Sequence, residues 1–351
     1  MRSRPVLAAM TVAALTLALV GCAAIGRAQH GLYKRAVAPT PNSAPPSHPV
    51  VTGFQPSWAD TANLDASRSA LSWVAISGID IGADGTSVTP PSADILNQLA
   101  HAHALGKKAE VLLLNYEGGV GFSDKVAASM LGTAQNRAAA AASLAAVVRS
   151  SGFDGVMFDL ESLGPSEASR LTAFAKVLRA AVGRDIHLDA AIQPSTTVAG
   201  YRHHGYDIPG LLESLDNVTV MAYDQHGTFN PANPGPVGEL SWQRKVLRAM
   251  LLLAQPGQVD LGTAGYGYRW ASDGAHTVGD VRARRLVAAT DVVPTFDDRT
   301  GEWTATLPDG QVLWWADARS LALREHLAAS LGLRGVAVWS LALSDPLPAV
   351  G

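Results

Sequence analysis

At 351 residues the chain can hold one barrel-sized domain or two small ones, and with 48% apolar and 16% charged residues it has the composition of an ordinary globular protein. A net charge of -3 provides no long-range field that would favour nucleic acid or another polyanion, so nucleic acid is not an expected partner. The single cysteine, Cys22, excludes an intrachain disulfide and any metal site built on cysteines.

Residues 1–21 read as a secretion signal. Arg2 and Arg4 form a short basic start, and the charge-free apolar run 6–20 is short for a membrane span and right for a signal-peptide core. It ends Leu19-Val20-Gly21-Cys22, which resembles a bacterial lipobox. That resemblance implies cleavage before Cys22, lipidation of Cys22, and a lipoprotein held in the cell envelope on the outer face of a bacterial membrane. More than one acyl chain makes such an anchor stable. An ordinary secretory signal with a chance cysteine is the competing reading. Residues 22–49, rich in Ala, Pro and Ser, read as a semi-extended tether, with the folded domain spanning 50–351.

From residue 50 onward, short apolar β-rich runs alternate with longer helical patterns. Strands are expected at 50–55, 73–79, 109–115, 154–161, 186–192, 217–223, 260–266 and 335–341. Helices are expected at 92–105, 135–151, 166–182, 240–254 and 317–331. Eight strands alternating with helices predict an α/β fold, a (β/α)8 TIM barrel. A doubly wound open sheet is the alternative, but no Gly-rich phosphate loop follows an early strand. The span 271–316 is long for a connection. It carries turn signals at Asp298, Gly301 and Pro308-Asp309-Gly310 and strand-like pieces at 302–307 and 311–315, which predicts a small β-containing insertion between strand 7 and its helix.

Active sites of such barrels lie at the C-terminal ends of the strands. The fourth strand ends Asp154-Gly155-Val156-Met157-Phe158-Asp159-Leu160-Glu161. Alternation puts Met157, Asp159 and Glu161 on one face and Val156, Phe158 and Leu160 on the other. Two neighbouring carboxylates disfavour joint ionisation, so one pKa should rise, leaving an acid able to protonate a leaving oxygen. On spacing alone, the pair is equally compatible with two solvated carboxylates.

The segment DGVMFDLE resembles the DGxDxDxE signature of glycoside hydrolase family 18, matching Asp154, Gly155, Asp159 and Glu161, with Met157 in place of the middle aspartate. Met221-Ala222-Tyr223-Asp224 is similar to the family's MxYD element, and Val338-Trp339-Ser340 to its closing tryptophan. The stretch from Gln225-His226-Gly227 through Pro234-Gly235-Pro236 to Trp242, with 341–346 (LALSDP), resembles the spore-cortex-lytic, peptidoglycan-directed branch. The resemblance spans about 50–347.

It implies a chitinase-like glycosidase that cleaves β-1,4 linkages next to N-acetylglucosamine, in peptidoglycan or a chitin-like glycan. The mechanism it implies is retaining and substrate-assisted, without a protein nucleophile. Carried over, Glu161 is the acid/base, Asp159 orients the 2-acetamido group, Tyr223 bonds its carbonyl, Asp224 contacts the same sugar and Trp339 forms the apolar floor. Asp154 points away and is structural. Methionine cannot hydrogen-bond as the missing aspartate would, so a slower enzyme is expected. The alternative is a chitinase-like carbohydrate-binding protein with little or no hydrolytic activity.

Gln193, Tyr266 and Tyr268 lie at the expected catalytic rim and are candidate sugar contacts. Gln55, Asn115 and Tyr116 are expected to pack loops. Trp314 and Trp315 either wall the cleft or fasten the insertion to the barrel. His101 and His103 point apart on a helix, and His203 and His204 sit in a loop, so no metal site is expected. With no dinucleotide or phosphate-loop fingerprint, no cofactor is expected either.

Overall fold

The structure, a computed structural model, describes residues 49–349. The signal segment, Cys22 and the tether therefore lie outside the described residues. Among those described, eight strands form a closed, wholly parallel barrel. They are β1 (Val50–Pro56), β2 (Trp73–Asp80), β3 (Lys108–Leu114), β6 (Gly155–Asp159), β7 (His187–Ile192), β8 (Asn217–Met221), β9 (Val259–Ala264) and β15 (Gly335–Trp339). A short hairpin, β4 (Tyr116–Glu117) and β5 (Gly121–Phe122), follows β3. No described helix is long and apolar enough to cross a membrane.

The connecting helices are α1 (Ala62–Ser67), α2 (Ala93–Ala104), α3 (Asp124–Gly132), α4 (Ala134–Ser151), α5 (Ala168–Val182), α6 (Val198–His203), α7 (Ile208–Leu212) and α8 (Leu240–Met250). Their ends follow local chemistry. Ser92 accepts a bond from Ile95 N–H at the start of α2, and Thr133 does the same from Asn136 N–H at the start of α4, each satisfying an orphan donor. Gly152 ends α4 with φ 83°, a left-handed conformation that costs glycine nothing.

Inward-facing residues fill the barrel in layers. A central apolar layer is formed by Phe54, Ala75, Leu112, Met157, Ala191, Met221 and Ala337, with Leu114, Tyr223 and Trp339 packed against it. At the N-terminal end the inward residues are polar. Asn217 Nδ2 donates to Asp189 at 3.2 Å and to Asp260 at 3.1 Å, and Arg334 is paired with Asp260. Glu110, His187 and Asp189 each bring a potential metal-ligand atom within 4.8 Å of the others there. This is the opposite end from the strand termini that carry the catalytic signature, and Arg334 already supplies positive charge to it.

Between β9 and the last helix, α10 (Ala318–Ser330), lies a second sheet. It consists of β10 (Gly267–Ala271), β11 (Gly274–Val278), β12 (Thr295–Asp297), β13 (Glu302–Thr306) and β14 (Val312–Trp315), with helix α9 (Asp280–Ala288). The strands are antiparallel in the order β11-β10-β14-β13-β12. Its position is that of the expected insertion; the β10–β11 hairpin, which turns at Ser272-Asp273, and α9 are additional to the strand-like pieces expected there.

A buried ion pair fastens this sheet. Glu302 and Arg324 are each 1% exposed and lie 3.1 Å apart. Glu302 also accepts the N–H groups of Val237 and Gly238 at 2.8 Å each, so β13 is tied to the loop that follows β8.

Candidate active site

Four of the expected strands, β6, β8, β9 and β15, stop two residues short of their sequence patterns, and the ends of β6 and β8 have identifiable causes at the site. β6 stops at Asp159, so Leu160 and Glu161 lie past the sheet. The cause is Asn115, directly after β3. Its Oδ1 accepts Glu161 N–H at 3.0 Å, and its Nδ2 donates to Glu161 O at 2.9 Å and to Ser123 O at 2.9 Å. A buried side-chain amide thus takes the place of the strand ladder. Tyr206 O–H holds the preceding carbonyl, Leu160 O, at 2.9 Å. β8 stops at Met221 because Ala222 N–H and Tyr223 N–H turn back to Val220 O and Met221 O.

Among the described residues, Ser162 (φ 59°) and Asp224 (φ 55°) are the non-glycine positions with positive φ. Each directly follows a candidate catalytic residue, Glu161 or Tyr223. Such backbone costs about 1–3 kcal/mol and persists where the surroundings enforce it.

Asp159 is 7% exposed and accepts no hydrogen bond from any described residue; its Oδ1 is a buried orphan acceptor. Burial, then the charge of Glu161, hold its carboxyl well above the usual range. Glu161 is partly open to the barrel mouth and receives a 2.6 Å bond from Gln193 Nε2. Burial pushes its pKa up to about 7, the Gln193 bond opposing and the charge of Asp224 adding. Two carboxyls two residues apart thus share a scarcity of compensating charge, and the neutral acid is favoured at both.

Asp224 Oδ1 accepts the hydroxyls of Tyr266 and of Tyr268, the latter at 2.7 Å. Burial raises its pKa, and these two bonds pull it down. Tyr223 lies within the fields of Asp159, Asp224 and Glu161, which with burial keep its hydroxyl protonated, a standing donor. Tyr223 and Trp339 pack against one aromatic cluster with Tyr266, Tyr268 and Trp270. Phe54 meets Trp339 edge-on with centroids 5.3 Å apart.

The structure therefore brings together Glu161, Asp159, Tyr223, Asp224, Trp339, Gln193, Tyr266 and Tyr268. Asp154 lies elsewhere, at the strand's other end, where it accepts Ala109 N–H and a bond from His103. Gln55 is buried, bonded to Asp60 and Gln98. The two tryptophans part company, and Trp315 packs within the insertion rather than onto the barrel. Trp314 joins the cluster beside Trp339, whereas Trp315 stacks on Trp303 at 6.1 Å inside the inserted sheet. Alternation along β14 explains the split. Asn115, expected as a loop-packing residue, instead fixes the backbone of Glu161. Tyr206 carried no sequence signal, because its contact joins segments 46 residues apart.

Comparison with known proteins agrees with this fold. A cortical fragment-lytic enzyme from Bacillus subtilis is 25% identical over 280 residues, covering 75% of this chain and 63% of that protein. An uncharacterized glycosylase from the same organism, YvbX, is 22% identical over 256 residues, covering 70% and 74%. Among solved structures, a chitinase from Chromobacterium violaceum superposes with a TM-score of 0.76 at 22% identity, covering 85% of this chain and 95% of that one. The spore cortex-lytic enzyme SleL of Bacillus cereus gives 0.74 at 19%, covering 85% and 72%. Residues 58–343 match the family described as Glycosyl hydrolases family 18, and the chain belongs to that family of glycosidases.

Proposed function

We propose that this protein hydrolyses β-1,4 bonds next to N-acetylglucosamine by substrate-assisted, retaining catalysis, with Glu161 as acid and then base. The observation that carries this reading is the proton-holding Glu161 beside the buried, unpartnered Asp159. A buried acceptor without a donor is costly, and the N–H of a sugar's 2-acetamido group is the kind of donor it lacks. Bound there, the acetamido oxygen would be turned towards its own anomeric carbon, with the Tyr223 hydroxyl on the acetamido carbonyl.

A nucleophile already attached to the substrate needs orientation alone, and good orientation contributes about 7–11 kcal/mol of barrier lowering. Glu161 protonates the departing glycosidic oxygen while Asp159, ionised, faces the positive charge that develops on the closing ring. Glu161, now a carboxylate, next takes a proton from the water that opens that ring. Asp224 and Gln193 contact the same sugar or position Glu161, Trp339 provides the apolar floor, and Tyr266 and Tyr268 hold Asp224.

Digestion of purified peptidoglycan and of chitooligosaccharides by wild type and Glu161→Gln tests this. New reducing ends from wild type alone are expected. Glycan left intact by both proteins, with binding retained, would instead favour a carbohydrate-binding protein, the reading that Met157 beneath the unpartnered Asp159 supports.

The same reading places the enzyme in the cell envelope, anchored to a membrane through lipid on Cys22, where peptidoglycan is the neighbouring polymer. Cys22→Ala should move the protein from the membrane fraction to the soluble fraction; unchanged fractionation argues against the anchor.

A further inference from the structure

The inserted sheet, α9 and the loop after β8 line an open cavity of about 410 Å³. Its polar lining is Arg269 on β10, His276 and Thr277 on β11, Arg282 on α9 and Thr228 from the loop after β8, with Leu286 one turn beyond Arg282. The cavity shares a wall with the sugar site. Thr277 pairs across the hairpin with Tyr268, and Tyr268 O–H donates to Asp224. Thr228 follows Asp224 by four residues. Gly227 lies so close to the Tyr268 ring that a Cβ there would come within 2.9 Å of it. Tyr268 thus stands between the Thr277 and Thr228 edge of the cavity and Asp224.

The cavity's charge is unbalanced. Arg269 gives one guanidinium nitrogen to Gln311 Oε1 at 2.8 Å, a neutral acceptor. Arg282 is exposed and has neither a hydrogen-bond nor an ion-pair partner among the described residues. The nearby carboxylate, Asp273, bonds His276 at 3.0 Å and also lies in the field of Arg269, which leaves Arg282 as the cation without a counter-charge. Two guanidinium groups with free donors, two threonine hydroxyls and an apolar floor suit a carboxylate on a short aliphatic stem, which arginine binds with paired, charge-assisted hydrogen bonds.

We propose that this cavity receives a carboxylate carried by the glycan next to the N-acetylglucosamine held at Asp224, so that the enzyme selects an acid-substituted strand, as in peptidoglycan, over neutral chitin. This rests on the reading of Glu161 and its neighbours as the sugar site. In such strands the acid belongs either to the lactyl ether of muramic acid or to the stem peptide attached there; the chemistry is shared.

Binding to the Glu161→Gln protein, followed by calorimetry, tests it without turnover. Three ligands are compared: a chitooligosaccharide, a peptide-free strand fragment with free lactyl acids, and the peptide-bearing fragment of equal length. At least one acidic ligand should bind about tenfold more tightly than the neutral one. Arg282→Ala should erase that preference and Arg282→Glu should reverse it, with neutral-glycan affinity within about twofold of the parent. The acidic ligand that responds to Arg282 identifies the source of the carboxylate. Equal affinity for neutral and acidic glycans, a preference that survives Arg282→Glu, or no binding to any of the three overturns the proposal. Failure of the catalytic reading shows separately, as wild type that binds these glycans without cleaving them.

Discussion

The side-chain amide of Asn115 brackets the backbone of Glu161, accepting its N–H at 3.0 Å and donating to its carbonyl at 2.9 Å. The candidate acid is therefore not carried by β6 itself but by a link from β3 to the residue two places past the end of β6. Both partners are backbone groups, so the bracket sets the position of Glu161 without touching its carboxyl or its proton affinity.

Replacing Asn115 should consequently loosen geometry more than binding. For Asn115→Ala, kcat should fall about 10- to 100-fold with KM little changed, since a misplacement near 1 Å is costly to a positioned acid. Folding stability should drop by about 2–4 kcal/mol, from three lost hydrogen bonds and the buried groups they leave unpaired. Steady-state kinetics and chemical denaturation measure the two effects; full kcat in a folded Asn115→Ala protein would mean that the bracket is only structural.

The raised carboxyl pKa values give stability a definite pH dependence. Glu161 titrates near 7 in the folded protein against an ordinary value of 4.5, so the folded state binds its proton more tightly than the unfolded state does. The associated stability is fully present below about pH 4.5 and is lost as pH rises through about 7. The shift corresponds to at most about 3 kcal/mol, the partial opening of Glu161 to solvent reducing it. Asp159 changes in the same direction. Wild type should melt at a lower temperature at pH 8 than at pH 5.5, and Glu161→Gln should flatten that slope. Hydrolysis should decline on the alkaline side of about pH 7, where the acid has lost its proton. A melting temperature that climbs from pH 5.5 to pH 8 in wild type but not in the variant would contradict the assignment.

Met157 sits in the central apolar layer, two residues from Asp159 on the same face. With no polar group beneath it, Asp159 has nowhere to pass its proton as a substrate arrives, although the proposed chemistry needs Asp159 ionised and Glu161 neutral. Met157→Asp should therefore raise kcat, while removing a well-packed side chain and burying a carboxyl should lower stability by about 2–5 kcal/mol. Turnover that is unchanged or lower in a folded Met157→Asp protein would show that the proton on Asp159 does not limit the rate.

What was legible from sequence divides along a physical line. The eight barrel strands and the five helices named from pattern are all present, because each is a local run whose period or apolar content is fixed by one buried face. The parity of Met157, Asp159 and Glu161 followed from alternation alone. The strand ends did not follow: β6 and β8 stop early because Asn115 and a pair of tight turns compete for backbone bonds, and the sequence around Glu161 carries no trace of either. Tyr206 was invisible for the same reason. The β10–β11 hairpin was missed because its turn is Ser272-Asp273 within a half-polar stretch, and its strands gain their burial from aromatic residues packed across the site rather than from a pattern of their own.

The Glu302–Arg324 pair ties the inserted sheet to the loop that follows β8. Its carboxylate holds two consecutive N–H groups, Val237 and Gly238, and its guanidinium partner also donates to Gly238 O and Gly301 O. Burial raises the Glu302 pKa, while Arg324 and the two N–H groups oppose that rise. Removing one partner leaves an uncompensated buried charge, so Arg324→Met should cost about 3–5 kcal/mol, more than an exposed pair would. The double variant Glu302→Gln/Arg324→Met should recover part of that loss, because no buried charge remains, yet it should not restore the clamp on residues 237–238. Its kcat should therefore stay below that of wild type even where its melting temperature approaches it. A double variant that regains stability and activity together would place the pair in folding alone, with no part in holding the loop that carries Asp224.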